Sequence, residues 1–239
     1  MIKQVILKIW YVIKMLVFLA ISFFFFLAAA IVRPFNKWTA ISIFKVSIRL
    51  FFWWFGLKLS FELPYEEMKQ SSNTVFVLLN QMSFLDSMVT PILPIRRVLG
   101  IMNIEMALYP ILGWFLSLVS FVIIRQWPSQ SKKVINRTSD FLQSGGNMLI
   151  SIEGKRSKDG KLNEYKKGAV VMAITNQSDI VPLIIRGTYE ALPMKSLFSR
   201  PGNISVKFLD PLSTKGLTYE DRDALKDRLL EIARENGLR

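Results

Sequence analysis

The run Met15–Val32, MLVFLAISFFFFLAAAIV, contains 18 residues and no charge. A water-exposed surface does not carry such a stretch, so it must meet protein core or lipid. Its length is near the lower limit for a helix that spans a bilayer, about 17–25 residues. Lys3, Lys8 and Lys14 precede it and Arg33 and Lys37 follow, so flanking charge favours neither orientation. After Pro34 comes a second apolar and aromatic stretch, WTAISIFKVSIRLFFWWFGLKL (38–59). Its Lys45 and Arg49 stand four residues apart, on one helical face. A helix of that kind suits the plane of a membrane interface. Three arrangements compete. A cleaved signal peptide could end at AAAIV, but a second apolar segment follows at once. A single-pass span needs only the first helix. The third is a hairpin over residues 1–61, in which one helix dips into one leaflet, turns near Arg33-Pro34 and a second lies along the surface. We expect the hairpin, with both ends cytoplasmic and the chain at the inner (cytoplasmic) membrane.

Charge supports a membrane partner. The chain has 239 residues and a net charge of +13, with 31 basic residues and 18 acidic ones. Eight of the basic residues and none of the acids fall within 1–61. These cations punctuate Trp, Phe, Ile and Leu, whereas a basic arm for nucleic acid would be polar. Lysine and arginine can snorkel to anionic headgroups while aromatics occupy the interface. Outside this segment no patch interleaves cations with exposed aromatics, so no nucleic-acid partner is expected.

The absences narrow the chemistry. With no cysteine, disulfides, thiolate metal sites and a cysteine nucleophile are excluded. With no histidine either, a structural zinc site loses its usual ligands, and no side chain has an unperturbed pKa near neutrality. Proton transfer must fall to carboxylates, lysine, tyrosine or the substrate.

From residue 62 to 239 strand patterns alternate with helix patterns. Strands are predicted at 74–79, 97–101, 120–125, 147–152, 180–185 and 203–209, and helices at 84–93, 105–118, 129–143, 166–176 and 218–234. This alternation predicts an α/β fold, a largely parallel mixed sheet flanked by helices. Thr218 and Asp221 form a capping-box pattern before the last helix.

Loops beyond strand ends are the usual sites in such sheets, and two stand out. The first is Asn80-Gln81-Met82-Ser83-Phe84-Leu85-Asp86. Its plain reading is a helix start, with Ser83 as cap and Asp86 as a first-turn acid. The second, SIEGKRSKDGKLNEYKKGA (151–169), places Glu153, Gly154, Lys155, Arg156 and Ser157 in succession. It reads either as a solvated turn or as a phosphate clamp, with Arg156 giving a planar fork of donors and Lys155 a point charge.

Together the two stretches resemble the lysophosphatidate acyltransferase family, within the wider glycerolipid acyltransferase superfamily. The family's Asn-His-x-Ser-x-x-Asp is matched at Asn80, Ser83 and Asp86, with Gln81 in the histidine position. Its Phe-Pro-Glu-Gly-Thr-Arg-Ser is similar to Ser151–Ser157, departing at Ser151, Ile152 and Lys155. Gly160, Leu162, Tyr165, Lys166, Lys167 and Gly168 echo its downstream pattern. Pro110, Gly113, Trp114 and Arg125 resemble its middle segment, and Val181–Gly187 its fourth block.

That resemblance implies the glycerolipid acyltransferase fold and phospholipid biosynthesis. An acyl group would pass from acyl-CoA or acyl-carrier protein to the hydroxyl of lysophosphatidate, giving phosphatidate, with no metal or prosthetic group. It assigns Glu153, Gly154, Arg156 and Arg125 to the acceptor's phosphate, and Asp86 to orienting the base. Gln81 departs from this scheme, because a primary amide is not a base near neutral pH. It could instead orient the hydroxyl or donate to an oxyanion. Losing general-base assistance costs about 10² to 10⁴ in rate. Two functions therefore remain open: an acyltransferase that is slow or uses another base, and a non-catalytic member that binds phospholipid or acyl donor.

Overall fold

The computed structural model describes residues 2–62, 70–124, 126–194, 196 and 198–239. Within them a seven-stranded sheet runs in the order β1-β7-β6-β2-β5-β3-β4. Its strands are β1 (Leu57–Glu62), β2 (Thr74–Leu78), β3 (Val98–Asn103), β4 (Ser120–Ile123), β5 (Asn147–Ser151), β6 (Asp179–Arg186) and β7 (Gly202–Phe208). Each pairing is parallel except that of β6 with β7. The largely parallel α/β sheet expected from the alternation is the one observed.

All five residues of β2 are buried, as an apolar strand covered on both faces should be. Its neighbours β5 and β6 run parallel to it, in registers that pair Leu78 with both Ser151 and Leu183. The carboxyl ends of these three strands therefore open on one side of the sheet. A helix, α3 (Phe84–Val89), begins six residues after β2 ends at Leu78.

Three helix expectations need correction. The second amino-terminal helix was expected to reach Leu59, but α2 (Lys37–Trp54) stops earlier and Leu57 opens β1. Gly56 turns the chain there with a φ of +69°, a conformation costly for other residues. The 84–93 helix ends at Val89 and tightens into a 3-10 turn, Thr90–Ile92, around Pro91. The single helix expected over 105–118 is two, Ile104–Ala107 and Leu112–Leu118. Pro110 lacks a backbone N–H and restricts the residue before it, which breaks the run. Gly113 lets the two pieces close, since a Cβ there would overlap the Met106 carbonyl oxygen.

The amino-terminal helices α1 (Ile2–Val32) and α2 lie antiparallel. Phe18 meets Phe51 with ring centroids 5.0 Å apart, Ser47 reaches Ser22, and the Trp54 indole donates to the Lys14 carbonyl at 3.3 Å. Between them, Asn36 caps α2 by accepting from the backbone N–H groups of Trp38 and Thr39. The pair is fastened to the sheet domain through the helix Leu112–Leu118. Phe115 stacks on Phe44 at 4.5 Å and 8°, and Phe26 meets its edge at 5.4 Å. Tyr11 adds a polar fastening, its hydroxyl accepting from the Ser199 backbone N–H at 2.8 Å.

The outer faces of the helix pair are apolar. Trp10, Phe24, Ile31, Phe35 and Trp53 are all exposed. Among the described residues, the Lys8–Val32 portion of α1 is long and apolar enough to cross a membrane, and little of it is buried in the protein.

Candidate active site

The two singled-out loops meet because β2 and β5 are parallel neighbours. The chain after β2 is locked first by Asn80. Its side-chain amide donates to the Ile185 carbonyl at 2.6 Å and accepts from the Ile185 N–H at 3.0 Å. That exchange extends the β2–β6 ladder with a side chain in place of a strand residue. The Tyr165 hydroxyl donates to the Leu79 carbonyl at 2.7 Å.

Gln81 is held by its backbone. Its N–H donates to Glu153 Oε2 at 3.0 Å, and its carbonyl accepts from the Ser157 N–H at 2.7 Å. Glu153 also accepts from the Asn163 backbone N–H at 2.9 Å through Oε1, and from the Asn163 side-chain amide at 3.3 Å through Oε2. The buried Glu153 carboxylate thus clasps the β2 loop to its own.

Ser83 and Asp86 make the helix start anticipated from sequence. Ser83 Oγ accepts from the Leu85 N–H at 3.2 Å and donates to the Leu192 carbonyl at 2.6 Å. Asp86 Oδ2 accepts from the N–H groups of Met82 and Ser83 at 2.7 and 2.8 Å.

A cavity of about 290 Å³ opens where these loops meet. Gln81, Asp86, Gly154, Lys155 and Arg156 line it on the loop side, and Leu99, Ile101, Met102, Met106, Leu116 and Leu149 form much of the remainder. Gly154 takes a φ of +67°, which turns the chain so that Lys155 and Arg156 follow at the cavity's edge. The Arg156 guanidinium lies 5.6 Å from the centre of the Phe84 ring, close enough for a cation–π contact. Of the residues named from sequence, five therefore line the cavity, while Asn80, Ser83, Glu153 and Ser157 are buried and hold the loops. Arg125 lies outside the described residues.

The family model described as Acyltransferase matches residues 62–186. The chain belongs to the acyltransferase family. A protein named 1-acyl-sn-glycerol-3-phosphate acyltransferase from Limnanthes douglasii is 34% identical over 134 residues, which are 54% of this chain and 47% of the plant protein. The human 1-acyl-sn-glycerol-3-phosphate acyltransferase beta is 29% identical over 75% of this chain and 65% of its own length. An uncharacterized acyltransferase of Schizosaccharomyces pombe is 31% identical over 76% of this chain and 66% of its own. The chain thus spans about half of the plant relative it matches, 47%. The fold is shared with the crystal structure of the 1-acyl-sn-glycerophosphate (LPA) acyltransferase PlsC from Thermotoga maritima. The TM-score is 0.75 at 20% identity, with 98% of this chain and 95% of that one covered.

The electrostatics of this candidate site centre on Asp86. Burial pushes its carboxyl up to about 6, and the nearby Glu153 charge adds to the rise. The Thr188 hydroxyl and the Ser83 and Met82 amides pull in the opposite direction, and burial wins. Thr188 Oγ1 stands near enough to favour the charged form without good hydrogen-bonding geometry. Burial also raises the Glu153 carboxyl, against the donors from Asn163 and Gln81. Among the described residues, Asp86 Oδ1, Gln81 Oε1, Asn103 Oδ1 and Ser151 Oγ are buried oxygens with no hydrogen-bond partner. All four belong to residues lining the cavity. Such atoms favour a ligand that brings hydroxyl donors.

Sequence reasoning missed the supporting residues Asn163, Tyr165 as a hydroxyl donor and Thr188, and the cavity-lining Asn103. Asn163 could have been suspected, since it lies in the same polar loop as Glu153. Thr188 and Asn103 carry no local signal, because only the sheet order brings them near.

Asp86 gives a pH test. Its folded-state pKa lies above the ordinary aspartate range, at about 6, so the folded chain takes up a proton there. That contribution to stability is complete below the unfolded value and is lost as pH rises through about 6. Asp86→Asn cannot lose a proton, so its stability relative to the parent should improve between pH 4 and pH 7. The expected swing is up to about 2–3 kcal/mol, read from unfolding in detergent at the two pH values. An unchanged gap would mean that the Asp86 carboxyl titrates normally.

Proposed function

We propose that this chain is a membrane-bound acyltransferase of phospholipid biosynthesis. It would transfer an acyl group from acyl-CoA or acyl-carrier protein to lysophosphatidate or a close lysophospholipid. The observation that carries this reading is the cavity itself: cations at one edge, unpartnered oxygens beside them and an apolar remainder. A lysophospholipid offers the same sequence of chemistry, a phosphate, a hydroxyl and hydrocarbon. The names of the Limnanthes and human relatives support the same acceptor.

In this reading Arg156 and Lys155 hold the acceptor's phosphate, with Arg125 assigned by resemblance alone. Asn80, Ser83, Glu153, Gly154 and Ser157 shape the loops. The acceptor hydroxyl must lose its proton as it attacks the thioester carbonyl. Gln81 can orient that hydroxyl or donate to the developing oxyanion, and it cannot take the proton. Asp86 is the carboxylate nearest in sequence and also lines the cavity. Gln81 equally favours a second reading, a non-catalytic member that binds phospholipid or acyl donor at the same place.

Membrane placement belongs to the proposal. Residues 1–61 would seat in one leaflet, leaving the amino terminus and residues 62–239 on the cytoplasmic face. The exposed aromatic and aliphatic side chains of α1 and α2 support this, together with the basic residues between them. A single cysteine in place of Lys3 should label from the side that carries Asp86. Labelling only from the opposite side would require a span.

Labelled acyl-CoA and lysophosphatidate, incubated with the chain in membranes, give the direct assay for phosphatidate. Gln81→His should raise the rate at least about 10²-fold by supplying a base beside Asp86. Adding Asp86→Asn should remove most of that gain. A folded Gln81→His variant that binds acceptor and gains nothing would leave the binding reading standing. Charge-assisted bonds to phosphate are worth roughly 1.5–3 kcal/mol each. Arg156→Ala should therefore weaken lysophosphatidate binding roughly tenfold or more, and monoacylglycerol binding far less. Equal losses would remove the clamp.

A further inference from the structure

A second cavity, of about 400 Å³, lies between α2 and the chain that follows α3. One face of α2 supplies Trp38, Ile41, Ser42 and Lys45, at helical spacing, and the facing segment supplies Arg96 and Arg97. Three cations therefore line this cavity and no carboxylate does. Arg97 is engaged elsewhere, donating through Nη1 to the Ser144 carbonyl at 3.0 Å. Among the described residues Lys45 and Arg96 have no carboxylate partner.

Burial first, and then the Arg49 charge, hold the Lys45 ammonium below the usual lysine range. A desolvated cation beside another cation is destabilised, and an anion in reach of both would offset that. Like charges also gather at the end of α2 nearest the turn, where Arg33 and Arg137 both bear on the exposed Lys37. The rest of the cavity is apolar, from Ile41, Ile95, Val98 and Val119. The exposed Ile31, Phe35 and Trp38 stand on the same end of the helix pair. A free anion would use the cations and leave the apolar wall unmatched.

We propose that this second cavity binds the phosphate group of an anionic phospholipid, with Lys45 and Arg96 as its cations and the apolar side of α2 against its glycerol and first acyl carbons. The inference rests on the membrane placement proposed above, and it concerns a different site from the acyl-transfer cavity. Pro91, Val98 and Val119 line both cavities, so a lipid held in the second buttresses a wall of the first.

The test uses the full chain and two vesicle preparations, phosphatidylcholine alone and phosphatidylcholine with phosphatidylglycerol. The parent chain should prefer the anionic vesicles. Lys45→Met combined with Arg96→Met should lower that preference roughly tenfold or more. Lys132→Met with Lys133→Met removes the same charge from an exposed helix and should change it less than about twofold. Ser42→Leu keeps every charge and fills the cavity, so it should also lower the preference, which guards against misfolding of the double variant. Retained preference in Ser42→Leu and in the Lys45/Arg96 variant overturns the site. An equal loss in the Lys132/Lys133 control reduces the effect to surface charge and overturns it as well. Inorganic phosphate that abolishes the preference at a concentration too low to screen charge would assign the cavity to a free anion instead. A parent chain that binds neither vesicle overturns the membrane placement itself, an outcome separable from all the others.

Discussion

The site depends on one buried carboxylate. Glu153 accepts from Gln81 N–H at 3.0 Å on one side and from Asn163 N–H at 2.9 Å on the other. Beside it, the loops after β2 and β5 are joined by the bond from Ser157 N–H to the Gln81 carbonyl, at 2.7 Å, and by that from the Tyr165 hydroxyl to the Leu79 carbonyl, at 2.7 Å. A buried charge is costly unless its lone pairs are filled, and here backbone amides fill them. The same bonds that stabilise the carboxylate fix the spacing between Gln81 and the Lys155-Arg156 pair. Charge satisfaction and site geometry are therefore one arrangement.

This changes how the motif residues divide. Resemblance puts Glu153 among the phosphate ligands, whereas its observed partners are the N–H groups of the neighbouring loops. Asn80 likewise spends both ends of its amide on Ile185, and Ser83 spends its hydroxyl on Leu192 and Leu85. Those side chains act as substitutes for backbone pairing where strands end. Gln81, Asp86, Lys155 and Arg156 are the ones turned toward open space. A motif of seven residues thus contains both scaffold and chemistry, and spacing alone does not separate them.

Much of the fold is legible in the sequence because buried parallel strands are short apolar runs between polar loops. Val75–Leu79 and Ile180–Ile185 are such runs, and both are strands. The edge strand β1 was harder to see. Leu57-Lys58-Leu59-Ser60-Phe61 alternates as a half-buried strand should, but it follows Phe51–Phe55 without a polar break, so a helix pattern absorbs it. Gly56 is the local mark of the change. The break at Pro110 was equally visible and was outweighed by the apolar periodicity on either side. Asn103 and Thr188 could not be read at all. The place of Thr188 beside Asp86 and of Asn103 in the same cavity wall is a product of sheet order, which no local pattern encodes.

The absence of histidine has a consequence beyond the reaction. No side chain of ordinary acidity changes charge close to neutrality in such a chain. Asp86, pushed up to about 6 by its burial, is the exception inside. The arginines of the outer face keep their charge across the physiological range. Asp86, which lines the cavity, brings proton exchange toward that range from inside the site. Acidification of the surroundings would protonate Asp86 inside the site while the arginines outside it kept their charge.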